Sequence, residues 1–209
     1  YNMDYNNFWA SGGTMLYWGG VGTTYTTIAS MRTGMNNNHN SLSYNPGFVS
    51  PTTGDLRPDP TNPNSWSLNG RGVQLTGNDK DVDGIPRALT TIQGVPDIGA
   101  YEFTPSATPP DCQLVPAAPV ASGTQYAYFG EDTVAVIRWG TTVPTGFAVK
   151  QYTGTNPPGI TAINPSQMYY YADFLGSGTA LDYSFDLYFK DPWMGSIAAK
   201  AALRLAEKV

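Results

Sequence analysis

The stretch LDYSFDLYF, residues 181–189, sets Tyr183, Phe185, Leu187 and Phe189 on one side and Asp182, Ser184, Asp186 and Tyr188 on the other. A period of two belongs to a half-buried strand, because successive side chains in a strand point to opposite faces. Three earlier runs, TVAVIRW (133–139), GFAVKQY (146–152) and MYYYADFL (168–175), are also rich in β-branched and aromatic residues and are separated by Gly, Pro and Asn. Strands at this spacing predict an antiparallel β-sandwich over residues 125–209. The closing AAKAALRLAEKV (198–209) is two-sided: its composition favours helix, while Leu203 and Leu205 alternate as in a strand.

The rest of the chain agrees with an all-β reading. Of its 209 residues 41% are hydrophobic and 13% aromatic, enough to bury a sizeable core, while only 13% are charged. Polarity comes instead from Asn, Thr, Ser, Gly and Tyr. Gly 23 and Pro 17 supply many turns. The net charge is −5 and no basic patch occurs, which argues against nucleic acid, since phosphate binding draws on clustered Lys and Arg. No apolar run reaches the ~20 residues of a membrane-spanning helix. One cysteine, Cys112, excludes an internal disulfide.

Residues 1–50 hold short strand-like pieces broken by glycine pairs and an Asn run, and residues 26–33 predict one short helical turn. Residues 51–75 carry too many prolines for central strands and read as a long ordered loop. In 104–124, TPSATPPDCQLVPAAPVASGT, charges nearly vanish and Pro, Ala and Ser dominate. That composition predicts a semi-rigid linker. Both ends read as cut, with a leader expected upstream of Tyr1.

The segment DVDGIPRALTTIQGVPDIGAYEF (81–103) is the most specific in the chain. It resembles the closing motif of right-handed parallel β-helix proteins secreted by Bacteroidota-type bacteria, in which Asp-x-Asp-Gly-x-x-Arg precedes Asp-Ile-Gly-Ala-Tyr-Glu. The matching residues are Asp81, Asp83, Gly84 and Arg87, then Asp97, Ile98, Gly99, Ala100, Tyr101 and Glu102. NPGFVSPTTGDLRP (45–58) is similar to the penultimate turn of that family. Residues 125–206, through NPPG, YSFDLYF, DPWMG and ALRLA, resemble a β-sandwich that precedes a type IX secretion sorting domain, which would itself lie outside this chain.

The resemblance implies the end of a right-handed parallel β-helix at 1–103, a linker at 104–124 and a β-sandwich at 125–209. It implies an extracellular or outer-surface address. It also implies a non-catalytic role: capping the helix and linking it to an anchoring or sorting domain through sequence not present here. A β-helix end exposes unpaired backbone, so a Pro-rich loop and a last strand should cover it. Gly84 and Gly99 would admit unusual backbone, and Asp83 with Arg87 is the expected charge pair. Two other roles stay open. One is a glycan-binding adhesin module. The other is part of a polysaccharide lyase or hydrolase with its active site upstream, since Asp55, Asp59 and the 79–83 aspartates lie in capping loops.

Individual sites are weighed against plainer uses. Asp79, Asp81, Asp83 and Gly84 spell D-x-D-x-D-G, the opening half of a calcium loop, making calcium the one candidate cofactor. Position 90, where the closing acid of such a loop belongs, is Thr90, and a solvated turn is the more frequent use of this pattern. His39, the one histidine, lies in an Asn-rich loop without partners, and Cys112 has no local base to make it a nucleophile. Tyr169, Tyr170 and Tyr171 alternate in facing, so one side should approach the surface. They are the candidate contact for a cell-surface or environmental polysaccharide, with core packing as the commoner role of such residues.

Overall fold

A computed structural model describes residues 3–18, 22–158, 168–178 and 182–203. Strand makes up 30% and helix 12%, so the chain is all-β, built from small antiparallel sheets. The strands are β1 (Leu16–Trp18), β2 (Thr23–Tyr25), β3 (Phe48–Ser50), β4 (Asp55–Pro58), β5 (Gln113–Val115), β6 (Thr124–Phe129), β7 (Asp132–Trp139), β8 (Gly146–Thr153), β9 (Tyr170–Ser177) and β10 (Tyr183–Leu187). A single α-helix among the described residues, α1, covers Ile28–Met35.

The alternating runs of the second half form the strands their pattern predicts. The largest sheet has the order β10-β7-β6-β5, with every neighbour antiparallel. β7 is its buried spine, with Val134, Ala135, Ile137 and Trp139 all in the core. β8 and β9 make a separate hairpin, in register from Gly146↔Ser177 to Thr153↔Tyr170. Its inner residues Phe147, Val149 and Phe174 meet Ile137, Trp139, Tyr183 and Phe185 of the larger sheet, so two antiparallel layers share one core. The last run ends as a short 3-10 turn at Lys200–Ala202. Leu205 and the rest of 204–209, where the sequence is two-sided, lie outside the described residues.

Residues 104–124 correct the linker reading. They contain β5, which pairs with the edge of β6, and Cys112, which is buried in the shared core. Cys112 N donates to Val149 O at 2.7 Å and Asp111 bridges Lys150, so this segment stitches one layer to the other. Leu42 and Trp66 enter the same core from the first half. The second half is therefore packed on the first and is not merely tethered to it.

In the first half, β1–β2 and β3–β4 are antiparallel hairpins. The described residues of 1–103 form no β-helix coil. Their strands are three or four residues long and pair antiparallel, where a coil stack would need parallel neighbours. One parallel contact occurs: Asn7 bridges Leu42, with Phe8 N to Leu42 O at 2.9 Å and Leu42 N to Asn6 O at 2.8 Å. α1 lies slightly beyond the predicted turn. Thr27 caps it by accepting from Ser30 N at 3.1 Å, Asn36 ends it in the left-handed conformation, and Ile28 and Met31 seat it against Tyr25.

Candidate functional site

Residues of the 81–103 segment converge on one hydrogen-bonded knot. A tight turn brings Lys80 opposite Pro86, and Gly84 takes φ +82° inside it. Asp81 builds that turn. Its Oδ1 accepts from Asp83 N at 2.9 Å and Ile85 N at 2.8 Å, and its Oδ2 accepts from Glu102 N at 2.8 Å. These amides, Glu102 first, hold its carboxyl below the usual range.

Arg87 is the clasp. Its guanidinium lies 2.7 Å from Glu102 Oε1 and donates to the carbonyls of Asp97 at 3.1 Å and Gly99 at 2.7 Å. The expected Asp83–Arg87 pair is thus replaced. Arg87 points inward, buried, to Glu102, while Asp83 is exposed. Gly99 sits at φ +106°, which turns its carbonyl toward the clasp. Asp97 is buried under the knot and accepts from Gly70 N at 2.6 Å and Phe103 N at 2.8 Å. Burial first, then the neighbouring Glu102, raises its carboxyl well above the ordinary value, and burial also raises Glu102. Tyr101 and Gly99 border a largely apolar groove of about 370 Å³ that Trp9, Leu56 and Ile98 also line.

Asp79, Asp81 and Asp83, the calcium candidates, are not gathered into one ligand set. Both oxygens of Asp81 are engaged by amides, Asp79 and Asp83 are exposed, and no group of three or more His, Cys, Asp or Glu among the described residues could hold a metal ion. Asp55 pairs with Arg57 on the surface, and Asp59 caps its own turn at Thr61. His39 is exposed. Cys112 is buried, and that burial pushes its thiol up to about 12.

The tyrosine run alternates as predicted, but its rings are used in packing. Tyr170 is buried and stacks on Trp193 at 4.9 Å and 4°. Tyr171 stacks on Tyr152 at 4.3 Å and 6°, and the Tyr169 hydroxyl donates to Ile92 O at 2.9 Å. The more open aromatic pair is Tyr126 and Tyr128, 6.1 Å apart and 10° from parallel on the outer face of β6. Tyr126 is 40% exposed, beside the exposed Val115 on β5.

A second cluster has no local signature in the sequence. Asp132 opens β7 and receives Lys190 at 2.7 Å, Arg71 at 3.5 Å and Arg32 at 3.6 Å. Arg71 is buried. It donates to Trp66 O at 2.9 Å and to Gln151 Oε1, and it lies over the Phe129 ring at 4.2 Å. Lys190 also donates to Asn40 O at 2.9 Å. Burial lowers the proton affinity of both Arg71 and Lys190, and Asp132 opposes that in each. The four charged residues come from α1, the 63–75 loop, β7 and the turn after β10, so only folding collects them.

Comparison of the chain with protein-family models, with curated proteins and with solved structures gives no match. What the chain does must therefore be argued from its own geometry.

Proposed function

We propose that this chain is a non-catalytic closing region of a secreted or surface-displayed β-helix protein, ending its strand stack and joining it to an anchoring or sorting domain. The observation that carries the reading is the knot. Asp81, Arg87, Asp97, Gly99 and Glu102, the residues of the closing motif, bind one another and the backbone at Gly70. A terminus built this way shields backbone groups that an open stack would leave unpaired. The parallel contact of Asn7 with Leu42, extended by Asn7 Nδ2 to Ser67 Oγ at 3.2 Å, gives a direction in which further coils would stack. The test is the chain joined to its native upstream sequence, with and without Arg87→Met. Under this reading the variant lowers the unfolding temperature of the upstream coils. Unchanged upstream unfolding would refute it.

A second reading rests on Tyr126 and Tyr128. Two near-parallel rings on an open sheet face, bordered by the Arg138–Asp186 surface pair, offer apolar faces and polar edges to a neutral polysaccharide. This patch replaces Tyr169–Tyr171 as the contact. A glycan array probed with the wild type and with Tyr126→Ala/Tyr128→Ala tests it, and a wild type without signal ends it.

A further inference from the structure

A pocket of about 260 Å³ opens where α1, the start of β7 and the turn after β10 meet, and Arg32, Glu131, Asp132, Gln151 and Lys190 line it. Arg32 and Lys190 face Glu131 and Asp132 across it, and the buried Arg71 behind Asp132 adds a third cation. Three cations, Arg32, Arg71 and Lys190, converge on the single carboxylate of Asp132. Glu131, the other acid of the lining, turns Oε2 to Ser43 N at 2.9 Å. Buried charges are ordinarily paired, because an uncompensated one loses its hydration without return. Here the Lys190 and Arg71 side chains are only 15% and 1% exposed, and among the described residues they and Arg32 are three cations beside the two acids Asp132 and Glu131.

The donors are also not exhausted. Arg32 uses Nε on Asn38 O at 3.0 Å and Nη2 on Ser41 O at 2.6 Å, and its Nη1 makes no hydrogen bond among the described residues. Lys190 has three N–H donors and, among the described residues, uses two, on Asn40 O and Asp132. Both side chains line the pocket, so their spare donors meet at one opening, and the buried Arg71 adds positive charge from behind Asp132.

We propose that this pocket is an oxyanion site that takes a carboxylate or sulfate group between Arg32 and Lys190. Planar guanidinium and ammonium donors suit such oxygens, and a low-dielectric wall strengthens the attraction. The group would come either from a free inorganic anion or from an acidic sugar. Occupancy would tie α1 to the turn after β10, across segments that the fold joins through Asp132. This proposal is independent of both functional readings, since neither the knot nor the β6 face contributes to the pocket.

The experiment is thermal unfolding of the whole chain, titrated at constant ionic strength with sodium sulfate, with sodium glucuronate and with glucose against sodium chloride. The expected result is a saturable rise in Tm of roughly 2–4 °C at about five times the Kd. Sulfate alone giving the rise identifies a free anion. Glucuronate giving it while glucose does not identifies an acidic sugar. Sulfate also stabilises proteins by exclusion from their surface, but that shift grows linearly and is the same in any variant. Lys190→Gln and Arg32→Gln should each abolish the saturable part. Should the lysine variant fail to fold, the partly exposed Arg32→Gln still decides. Linear shifts only, or saturable shifts that survive Arg32→Gln, would overturn the proposal.

Discussion

Gly70 and Gly154 meet backbone to backbone. A Cβ built on Gly154 would lie 2.6 Å from Gly70 Cα, and both residues hold positive φ, +58° and +71°. The approach is pinned on both sides. Asn69 Nδ2 donates to Thr153 O at 2.6 Å, Thr153 Oγ1 returns a bond to Asn69 O at 2.7 Å, and Trp193 Nε1 donates to Gly70 O at 2.8 Å. Gly154→Ala combines left-handed strain with a clash against rigid backbone, and should cost roughly 2–5 kcal/mol. Gly77 has φ +86° but open space around it, so Gly77→Ala should cost only about 1 kcal/mol. Urea unfolding of the two variants measures the difference, and equal losses would mean that the close approach is not rigid.

Arg87 binds Glu102 and two carbonyls at once. Arg87→Met leaves a partly buried carboxylate and two carbonyls without partners, and should cost about 3–5 kcal/mol. Arg87→Lys should recover only part, because a point ammonium cannot serve three acceptors laid out for a planar fork. The pair Arg87→Met/Glu102→Leu should lose less than the two single changes summed, since the second removes the charge that the first strands. Additive losses in equilibrium unfolding would show that the contact is not coupled.

Although Arg87 meets Glu102 in place of the expected Asp83, and Asp97 reaches back to Gly70, the 81–103 segment itself was legible, because aspartate, glycine and arginine at fixed offsets are a local signal. The strand alternation of β10 was equally plain. The contacts of Asp132 were not, since Arg32, Arg71 and Lys190 stand far apart in the chain and each alone is an ordinary surface-type residue. Nor was β5. Its three residues, QLV, are too few to show a period, and the prolines around them give the surface composition of a tether. A tyrosine run on a strand fixes which rings share a face but not what covers that face. Trp193 and Tyr152, supplied from elsewhere, settled that here.

Asp97 makes stability depend on pH. Its folded-state carboxyl is raised by burial above the unfolded value of ~3.9, so the folded chain binds more protons than the unfolded one as pH rises through that interval. Its contribution is most favourable at and below the unfolded value and is lost as pH climbs through the folded one. Asp97→Asn removes this dependence. It also leaves one of the amides of Gly70 and Phe103 facing an NH₂ group, at a cost of roughly 1–3 kcal/mol. The wild type's advantage over Asp97→Asn in urea midpoint should therefore shrink from pH 4 to pH 8. An advantage that grows with pH would mean that the two amides outweigh burial.

Cys112 reports whether the two halves come apart. A thiol in a tether would be exposed and would react with a disulfide reagent as fast at pH 8 in buffer as in urea. In the fold Cys112 is 5% exposed, its amide is bonded to Val149 O, and burial raises its thiol to about 12, so both access and thiolate are suppressed. Labelling then requires the layers to separate, and the native rate should be slower than the unfolded rate by a factor on the order of 10³ or more. Gly154→Ala, which strains the junction between the halves, should speed native labelling in proportion to the stability it removes. Gly77→Ala, at an open turn, should change it little. Rapid labelling of the wild type in buffer would restore the tether and detach β5 from the sheet.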